Sequence, residues 1–297
     1  MGSPFFAVPI LRSLIDAGEI IGVITQPDRP AGRGRKMEQS AVKELSLSMG
    51  LPLLQPLKIR DSGMVAALQK MNPDLIVVAA YGQILSEEIL KIPNFGCINV
   101  HASLLPRWRG ASPIQAAILA GDTVTGVSLM KMDAGLDTGP IIAQRKINIF
   151  DDDTASTLSG KLSYLGASLL LETLDKYFSG NIKMVRQNDE EVSKTRLIKK
   201  ADGLLDLNKS ANILERAVRA YNPWPGAYFF WRTLQIKVIK AKVLESSEAR
   251  PNQHVIFANK PAIGTANGYL AMDSLQPAGK KPMSGEEYLR GVKNWLD

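Results

Sequence analysis

Short apolar segments alternate with helical patterns along the first half of this chain. IIGVIT (20–25) and LIVVAA (75–80) are rich in β-branched residues, as buried strands are. Helical patterns at 40–49 and 62–71 lie between them. A strand that is followed by a helical crossover pairs in parallel with its neighbour, and helices then cover both faces of the sheet. The alternation therefore predicts an α/β fold with a doubly wound, Rossmann-like, mostly parallel sheet.

The predicted elements of this sheet extend from residue 5 to residue 178. A helix over 5–17 has its apolar side chains on one face and stops at Gly18. A long helix starts at Thr154, because the three aspartates before it are stabilising at a helix N-terminus. The other predicted elements are strands at 51–54 and 97–102, a helix over Pro113–Ala120, a hairpin of 126–132 with 141–149, and the end of the long helix at Phe178.

The chain changes character after Gly180. Residues 183–198 are polar and charged without a clean period, which predicts a linker. Beyond it, a helix over Ala211–Ala220 and alternating runs such as TLQIKVIKAKV (233–243) predict a small β-barrel. We therefore expect a first domain at 1–182, a linker at 183–198 and a C-terminal domain at 199–297.

The positive charge of the chain lies in its second part. Residues 1–182 contain 17 Lys and Arg against 17 Asp and Glu, whereas residues 183–297 contain 19 against 12, which is the whole net charge of +7. A neutral domain joined to a basic one indicates a catalytic domain with a module that meets a polyanion. Surplus lysines on a solvated face would give the same count, so the charge alone leaves both interpretations open.

Composition argues against several classes of protein. No apolar run reaches the ~18–20 residues of a membrane helix, and the first residues lack the pattern of a signal peptide, so we expect a cytoplasmic protein. Cys97 is the only cysteine, which excludes an intramolecular disulfide and a cysteine-based zinc site, and we expect it to be a buried strand thiol. His101 and His254 are the only histidines, and we expect no metal.

The segment GCINVHASLLP (96–106) carries the candidate chemistry. Side chains alternate along a strand, so Asn99 and His101 face the same side, which at the carboxyl end of a parallel strand is the ligand crevice. Asp137 lies between two glycines in a later turn, MDAGLDTGPII (132–142). An amide donor, an acid/base and an orienting carboxylate suit a reaction in which an oxyanion develops. Taken singly, each residue also fits an ordinary structural role.

Together these segments resemble the folate-dependent formyltransferases. In that family an Asn-x-His followed by SLLP and, downstream, a D-x-G-x-D-T-G loop form the active site; this chain has NVHASLLPRWRGASPIQ and MDAGLDTGP. The resemblance implies that Asn99, His101 and Asp137 are catalytic and that two segments, SLLP and AAYGQIL (79–85), bind the tetrahydrofolate. The implied folate-binding residues are Ser103, Leu104, Leu105, Pro106, Tyr81, Gly82 and Ile84.

Other segments resemble the tRNA-specific members of that family, the methionyl-tRNA formyltransferases. TQPDRPAGRGRK (25–36) resembles their loop that wedges into the acceptor end, and its glycines and cations suit a mobile phosphate-binding loop. RAYNPWPGAYF (219–229) and LQPAGKKPMSG (275–285) resemble their C-terminal oligonucleotide-binding-like barrel, in which we expect Trp224 to be a core residue. The implied tRNA-binding residues are Arg29, Arg33, Arg35, Lys36, Lys280 and Lys281.

The implied reaction transfers the formyl group of 10-formyltetrahydrofolate to the amino group of methionyl-initiator tRNA, by a monomeric cytoplasmic enzyme without a metal. Two other functions stay open. A formyltransferase for a small amine, such as glycinamide ribonucleotide or an amino sugar nucleotide, would need neither a basic barrel nor the AGRG loop. A non-catalytic RNA-binding module would bind no reduced folate.

The start of the chain differs from the family pattern. Family members begin with an apolar strand that runs into a G-[ST]-P turn, whereas this sequence starts at Met1-Gly2-Ser3-Pro4, inside that turn. In a sheet of order 3-2-1-4-5 the first strand is central, so its loss would expose two strand edges. We therefore expect the natural start to lie upstream, in codons for a further strand of about 5–6 residues.

Overall fold

The computed structural model describes residues 1–31, 36–292 and 294–296. They form two units. The first comprises Met1–Pro113, Val124–Asn148 and Ser159–Arg196, and the second comprises Ile114–Thr123, Ile149–Leu158 and Leu197–Asp297.

The elements up to residue 195 are close to those that the sequence predicts. The helices are α1 (Ala7–Ala17), α2 (Ala41–Ser48), α3 (Ser62–Met71), α4 (Glu87–Leu90), α5 (Pro113–Ala120) and α6 (Ala155–Phe178). The strands are β1 (Val23–Ile24), β2 (Arg29–Ala31), β3 (Lys36–Glu38), β4 (Leu53–Leu54), β5 (Ile76–Val78), β6 (Cys97–His101), β7 (Arg109–Gly110), β8 (Val124–Lys131), β9 (Ile141–Asn148) and β10 (Lys194–Thr195). The helix bounds agree within about two residues because amphipathic period and caps fix them locally.

Parallel pairs dominate the strands that position the site. Strand β1 pairs in parallel with β4, and β5 pairs in parallel with β6, with Val78 opposite Asn99. The predicted hairpin then continues the sheet, since β8 is antiparallel to both β6 and β9. The prediction of a Rossmann-like, mostly parallel α/β sheet is confirmed. The carboxyl ends of β5 and β6 lie side by side, which is where ligands bind in such sheets.

The first two residues lie between the two parallel pairs. The Gly2 N–H donates to the carbonyl of Ile24 at 3.0 Å, and Gly2 forms a parallel bridge with Ala79. Met1 and Gly2 thus hold the central position that the strand order 3-2-1-4-5 gives to the first strand. Beside Met1 lies a cavity of about 410 Å³, lined chiefly by 20–24 and 74–77. The expected upstream strand stays a prediction.

The core under this sheet edge joins strand and helix side chains. Val65 and Leu68 of α3 pack with Ile24, Ile76 and Val78 in one cluster, all of them at most 6% exposed. Apolar residues spaced three apart on α3 lie on one face, which accounts for the contact. Packing against α3 holds β5, and therefore its neighbour β6, in place.

Residues 183–198, expected to be a linker, largely group with the first unit. They include β10, which pairs in parallel with β7, and a short 3-10 helix over Asp189–Glu191. Gln187 is buried at 5% exposure. Polar side chains hold this segment through specific hydrogen bonds, and hydrogen bonding of that kind leaves no periodic signal in a sequence.

Two short stretches expected in the first domain, 114–123 and 149–158, group with the second unit. Leu119 of α5 packs against the second unit's apolar core. Arg219 donates through Nη1 to the carbonyl of Asp153 at 3.2 Å. These contacts join residues far apart in sequence.

The second unit is built on one antiparallel sheet. Its strands run in the order β11-β12-β15-β14-β13, with β16 paired to β15. Phe229, Ile236 and Leu275 are buried in its core. The bounds are a 3-10 helix at Lys200–Gly203, α7 (Ala211–Ala220), β11 (Ala227–Trp231), β12 (Leu234–Leu244), β13 (His254–Phe257), β14 (Lys260–Gly264), β15 (Tyr269–Pro277), β16 (Met283–Ser284) and α8 (Gly285–Gly291).

One expectation for this unit is wrong. Trp224 is 55% exposed and does not serve as a core residue. It lies in the turn between α7 and β11, while Trp231 and Trp295 stack with tilted rings, 5.5 Å between centroids, within the core. Trp231 and Trp295, rather than Trp224, are therefore the tryptophans of this core.

Two glycines of α6 differ in how closely the helix packs around them. A Cβ on Gly166 would lie 2.8 Å from Cγ1 of Val100 in β6, whereas a Cβ on Gly160 would meet nothing within 4 Å. We expect Gly166→Ala to lower the free energy of unfolding by about 1–3 kcal/mol through overpacking. The matched control Gly160→Ala should raise it by about 0.5–1 kcal/mol, because alanine favours the helix. Denaturant unfolding measures both, and equal stabilisation by the two variants would contradict the packing described.

Candidate active site

The candidate catalytic residues come together at the carboxyl end of β6. Asn99 and His101 alternate with buried Val100, so both side chains face the same side of the strand. Asp137 belongs to the turn that joins β8 to β9 and has a positive φ of 54°. The structure thus brings together three residues that are 38 and 36 positions apart in the chain.

The Asp137 carboxylate is the centre of this cluster. Its Oδ1 accepts a hydrogen bond from Asn99 Nδ2 at 3.1 Å, and its Oδ2 accepts one from the Gly110 N–H at 2.8 Å. The Nδ1 atom of His101 lies 3.7 Å from Oδ2. An aspartate with both oxygens engaged by donors is held in one orientation.

Gly110 is suited to this contact by its backbone. Its φ is 110°, a region that disfavours residues with a Cβ, and a Cβ there would overlap the carbonyl oxygen of Thr195. A glycine can therefore bring its N–H to the carboxylate where a larger residue could not.

The His101 ring is buried and fixed from two sides. Its Nε2 lies 3.0 Å from the carbonyl oxygen of Trp108. A carbonyl only accepts, so Nε2 carries the proton, and a neutral ring would then turn the lone pair of Nδ1 towards the Asp137 carboxylate. Nδ1 is therefore the ring nitrogen that faces this carboxylate.

Asn99 retains a free donor. Its amide has two N–H bonds, and among the described residues only Asp137 accepts one of them. Cys97, two residues earlier in the same strand, is 1% exposed, and burial raises the pKa of its thiol to about 12. It is therefore an unreactive strand thiol.

Gln187 and its neighbours are the residues that the sequence analysis missed. The Nε2 of Gln187 donates to the carbonyl oxygens of Asp137 at 2.9 Å and Gly139 at 2.7 Å, and its Oε1 accepts from Arg109 Nε at 2.9 Å. One buried amide thus ties the turn that carries Asp137 to the strand that carries Gly110. A glutamine in a polar stretch gives no signal of such a role.

Residues 193–195 hold the segment that contains Gly110. Ser193 Oγ accepts from the Trp108 N–H at 2.9 Å, and its carbonyl accepts from the Arg109 N–H at 2.9 Å. Thr195 Oγ1 accepts from the Ser112 N–H at 3.0 Å. Residues 187–195 therefore hold the backbone on both sides of Gly110 in place.

The SLLP segment contributes in two ways. Ser103 and Leu105 are buried; the Ser103 hydroxyl donates to the Arg107 carbonyl at 2.6 Å, and the Leu105 N–H donates to Ser128 Oγ at 2.9 Å. These contacts stabilise the turn itself. Leu104 and Pro106 are partly exposed and are the members of the segment able to touch a ligand.

Comparison with known proteins adds to this geometry. Residues 6–174 match the family model described as formyl transferase, and residues 197–293 match the formyl transferase C-terminal domain. The chain belongs to the formyl transferase family. Among its relatives, the methionyl-tRNA formyltransferase of Thermodesulfovibrio yellowstonii is 46% identical over 98% of this chain and 94% of the relative. That of Roseiflexus sp. is 44% identical over 99% of this chain and 91% of the relative.

Solved structures share the fold of this formyl transferase. WlaRD, a sugar 3N-formyl transferase, has a TM-score of 0.67 at 20% identity and covers 94% of this chain and 97% of its own. HypX from Aquifex aeolicus, in complex with tetrahydrofolic acid, has a TM-score of 0.60 at 18% identity, covering 82% of this chain and 43% of its own. The fold is therefore the one used by other formyl transferases.

The loop after β5, residues 81–85, has features that fit a reduced folate. No backbone N–H of Tyr81 through Leu85 bonds to a described residue, so the loop has donors for a ligand. Gly82 and Ile84 are exposed, and Gly82 has a φ of 81°. The Tyr81 ring packs in the core and so anchors the start of this loop. Its burial also raises the pKa of Tyr81 to about 12. Such a loop suits recognition of a pterin through backbone groups.

The residues expected to bind tRNA lie in both units. Arg29 is exposed in β2, and Lys280 and Lys281 are exposed between β15 and β16. Lys36 begins β3. Arg33 and Arg35 lie outside the described residues. No helix among 1–31, 36–292 and 294–296 is long and apolar enough to cross a membrane.

The role of Gln187 in this formyl transferase can be tested by Gln187→Leu. The variant leaves the carbonyls of Asp137 and Gly139 and the Nε of Arg109 without their partner, which should cost about 1–3 kcal/mol of unfolding free energy. We also expect a fall in formyl-transfer kcat larger than any change in folate affinity, because Asp137 loses its orientation.

The matched control is the exposed neighbour in Arg186→Ala, which should leave both quantities near wild type. Steady-state kinetics and thermal melting would be measured together. Wild-type kcat in a folded Gln187→Leu protein would show that the amide does not position the site.

Proposed function

We propose that this enzyme transfers the formyl group of 10-formyltetrahydrofolate to the amino group of methionyl-initiator tRNA. The observation that carries the proposal is the convergence of Asn99, His101 and Asp137 in a chain that aligns almost end to end with methionyl-tRNA formyltransferases. A formylation assay with charged initiator tRNA tests it. Absence of product with folded protein and both substrates would refute it.

The chemistry begins with attack of the amine nitrogen on the formyl carbon. An α-amino group has a pKa of about 7.7–8.0, so a useful fraction is neutral near pH 7 and no strong base is required. As the new C–N bond forms, negative charge develops on the formyl oxygen. The second N–H of Asn99 is the donor free to meet it, and a proton held by the His101 ring would add electrostatic stabilisation.

The tetrahedral intermediate then loses its amine proton. Asp137 and His101 form the adjacent pair of acid/base groups, with 3.7 Å between Nδ1 and Oδ2, and we assign them the transfer of this proton towards N10 of the folate. The C–N10 bond breaks, the formyl group stays on the amine, and N10 leaves with the proton. The His101 side chain is 6% exposed and that of Asp137 is 11% exposed, which limits competition from bulk solvent.

The basic second part of the chain supports tRNA as the amine substrate. The net charge of +7 lies wholly in residues 183–297, and Lys280 and Lys281 form no ion pair with a described residue. Trp224 presents an exposed aromatic ring in the same unit, suited to stacking on a base. A small amine would need none of these features. An enzyme of translation initiation would act in the cytoplasm.

Substitution of the catalytic pair gives the first test of mechanism. We expect His101→Ala and Asp137→Ala each to lower kcat by ~10²–10³-fold, the usual cost of losing one transition-state contact, while the Kd of tetrahydrofolate changes little. Asp175→Ala, at an exposed position of α6, is the matched control and should keep full activity. Turnover near wild type in either site variant would contradict the assignment.

Removal of two lysines tests the tRNA contact. In the double variant Lys280→Ala with Lys281→Ala, we expect weaker tRNA binding and a slope of log K against log salt that is smaller by about 2, one unit for each phosphate contact. The control replaces both lysines with arginine and keeps the charge. If the alanine variant shows the wild-type slope, these residues do not touch phosphate.

A further inference from the structure

Arg109 is a buried cation that has no part in the mechanism above. It begins β7, and its side chain is 6% exposed. Its Nε donates to Gln187 Oε1 at 2.9 Å, and its Nη2 donates to Asp189 Oδ1 at 3.4 Å. A charge is costly to bury unless hydrogen bonds and a counter-charge offset the lost hydration. The place of Arg109 therefore indicates a role beyond packing.

Four residues form a closed ring of contacts at the candidate catalytic cluster. The peptide bond joins Arg109 to Gly110, whose N–H donates to Asp137 Oδ2 at 2.8 Å. Gln187 Nε2 donates to the Asp137 carbonyl at 2.9 Å, and the bond from Arg109 Nε to Gln187 Oε1 closes the ring. In a closed ring no member can move without straining another contact. The ring therefore fixes the distance between Gly110 and the turn that carries Asp137.

The direction of the Gln187 amide depends on both of its sides. A guanidinium has only donors and a carbonyl oxygen only accepts, so the amide oxygen faces Arg109 and the NH₂ group faces the carbonyls of Asp137 and Gly139. Gln187 is 5% exposed. Without the Arg109 donor its oxygen would be a buried acceptor with no partner, which favours a shift of the amide away from the two carbonyls.

The backbone of Arg109 is held independently of its side chain. The Arg109 N–H donates to the Ser193 carbonyl at 2.9 Å, and the Arg109 carbonyl accepts from Thr195 Oγ1 at 3.3 Å. Strand β7 also pairs in parallel with β10. A change of the Arg109 side chain therefore leaves these contacts of the strand in place and acts on the bond to Gln187.

We propose that Arg109 is a positioning residue for formyl transfer, an inference that rests on the proposed function. Its Nε–H holds the Gln187 amide, and the amide holds the Asp137 turn against Gly110. The acting group is this donor rather than the positive charge. Asp189, the ion-pair partner of Arg109, is 71% exposed, and an ion pair with an exposed carboxylate contributes little.

Three variants of similar reach separate the donor of Arg109 from its charge. In Arg109→Gln an amide nitrogen can take the position of Nε, so the donor stays and the charge is lost. In Arg109→Lys a methylene takes that position, so the charge stays and the donor is lost, and Arg109→Met loses both. We expect kcat within about threefold of wild type for the first and about 10- to 100-fold lower for the other two, because slight misplacement of a reacting group has effects of that order.

The measurements are steady-state kinetics with charged initiator tRNA, equilibrium binding of tetrahydrofolate, and thermal melting. The Kd of tetrahydrofolate should change little, because the loop after β5 is not a member of the ring. Arg145→Met on β9 is the matched control and should keep wild-type kcat, since that guanidinium donates through Nη1 to Glu172 Oε1 at 3.0 Å. In a Gln187→Leu background the three Arg109 variants should share one kcat, because the acceptor is gone.

Several outcomes would overturn the proposal. Equal kcat in the Arg109→Gln and Arg109→Met proteins, or wild-type kcat in Arg109→Lys, would show that the donor does not position the site. A kcat that follows the melting temperature across the variants would assign Arg109 to stability alone. If Arg109→Met does not fold, the comparison of Arg109→Gln with Arg109→Lys gives the same test. Active wild type with these results refutes this inference only, whereas wild type that formylates no methionyl-tRNA refutes the proposed function as well.

Discussion

The Asp137 carboxylate is the contact on which the rest of the active site depends. It accepts from the Asn99 amide and from the Gly110 N–H, and it lies 3.7 Å from the His101 ring. With both oxygens occupied, the carboxylate cannot rotate without breaking a hydrogen bond, so it fixes the direction of the Asn99 amide and presents one oxygen to the His101 ring. Its own backbone is left-handed, with φ at 54°, and such a conformation persists only when surrounding contacts hold it.

Those surrounding contacts come from the segment that joins the two matched family regions. Gln187 binds the carbonyls on both sides of the Asp137 turn, and Ser193 and Thr195 bind the backbone around Gly110. Each of these hydrogen bonds is modest by itself, but together they fix both groups that meet at the carboxylate. A segment that the sequence predicts to be a polar linker therefore positions the groups around Asp137.

Different groups follow the different parallel strands at this edge of the sheet. The carboxyl end of β6 carries the candidate catalytic groups, the loop after β5 has backbone donors without a partner among the described residues, and the segments after β1 and β4 carry Arg29, Lys58 and Arg60. This order follows from parallel pairing, because parallel strands bring all their following loops to one side. The candidate catalytic groups all belong to the first unit, whereas the exposed Trp224, Lys280 and Lys281 belong to the second.

The sequence by itself determined the local features of this protein. The apolar periods gave helix bounds such as Ala211–Ala220, and the two-residue period of a strand placed Asn99 and His101 on one face. Residue pattern and family motifs also identified Asp137 as a partner for them. Only the tertiary structure decided that Asp137 receives the Gly110 N–H, that Gln187 fastens its turn, that Trp224 lies outside the core, and that 114–123 groups with the second unit. The physical reason is that periodicity, capping and turn chemistry act over a few residues, whereas single hydrogen bonds between polar side chains and distant backbone have no period to reveal them.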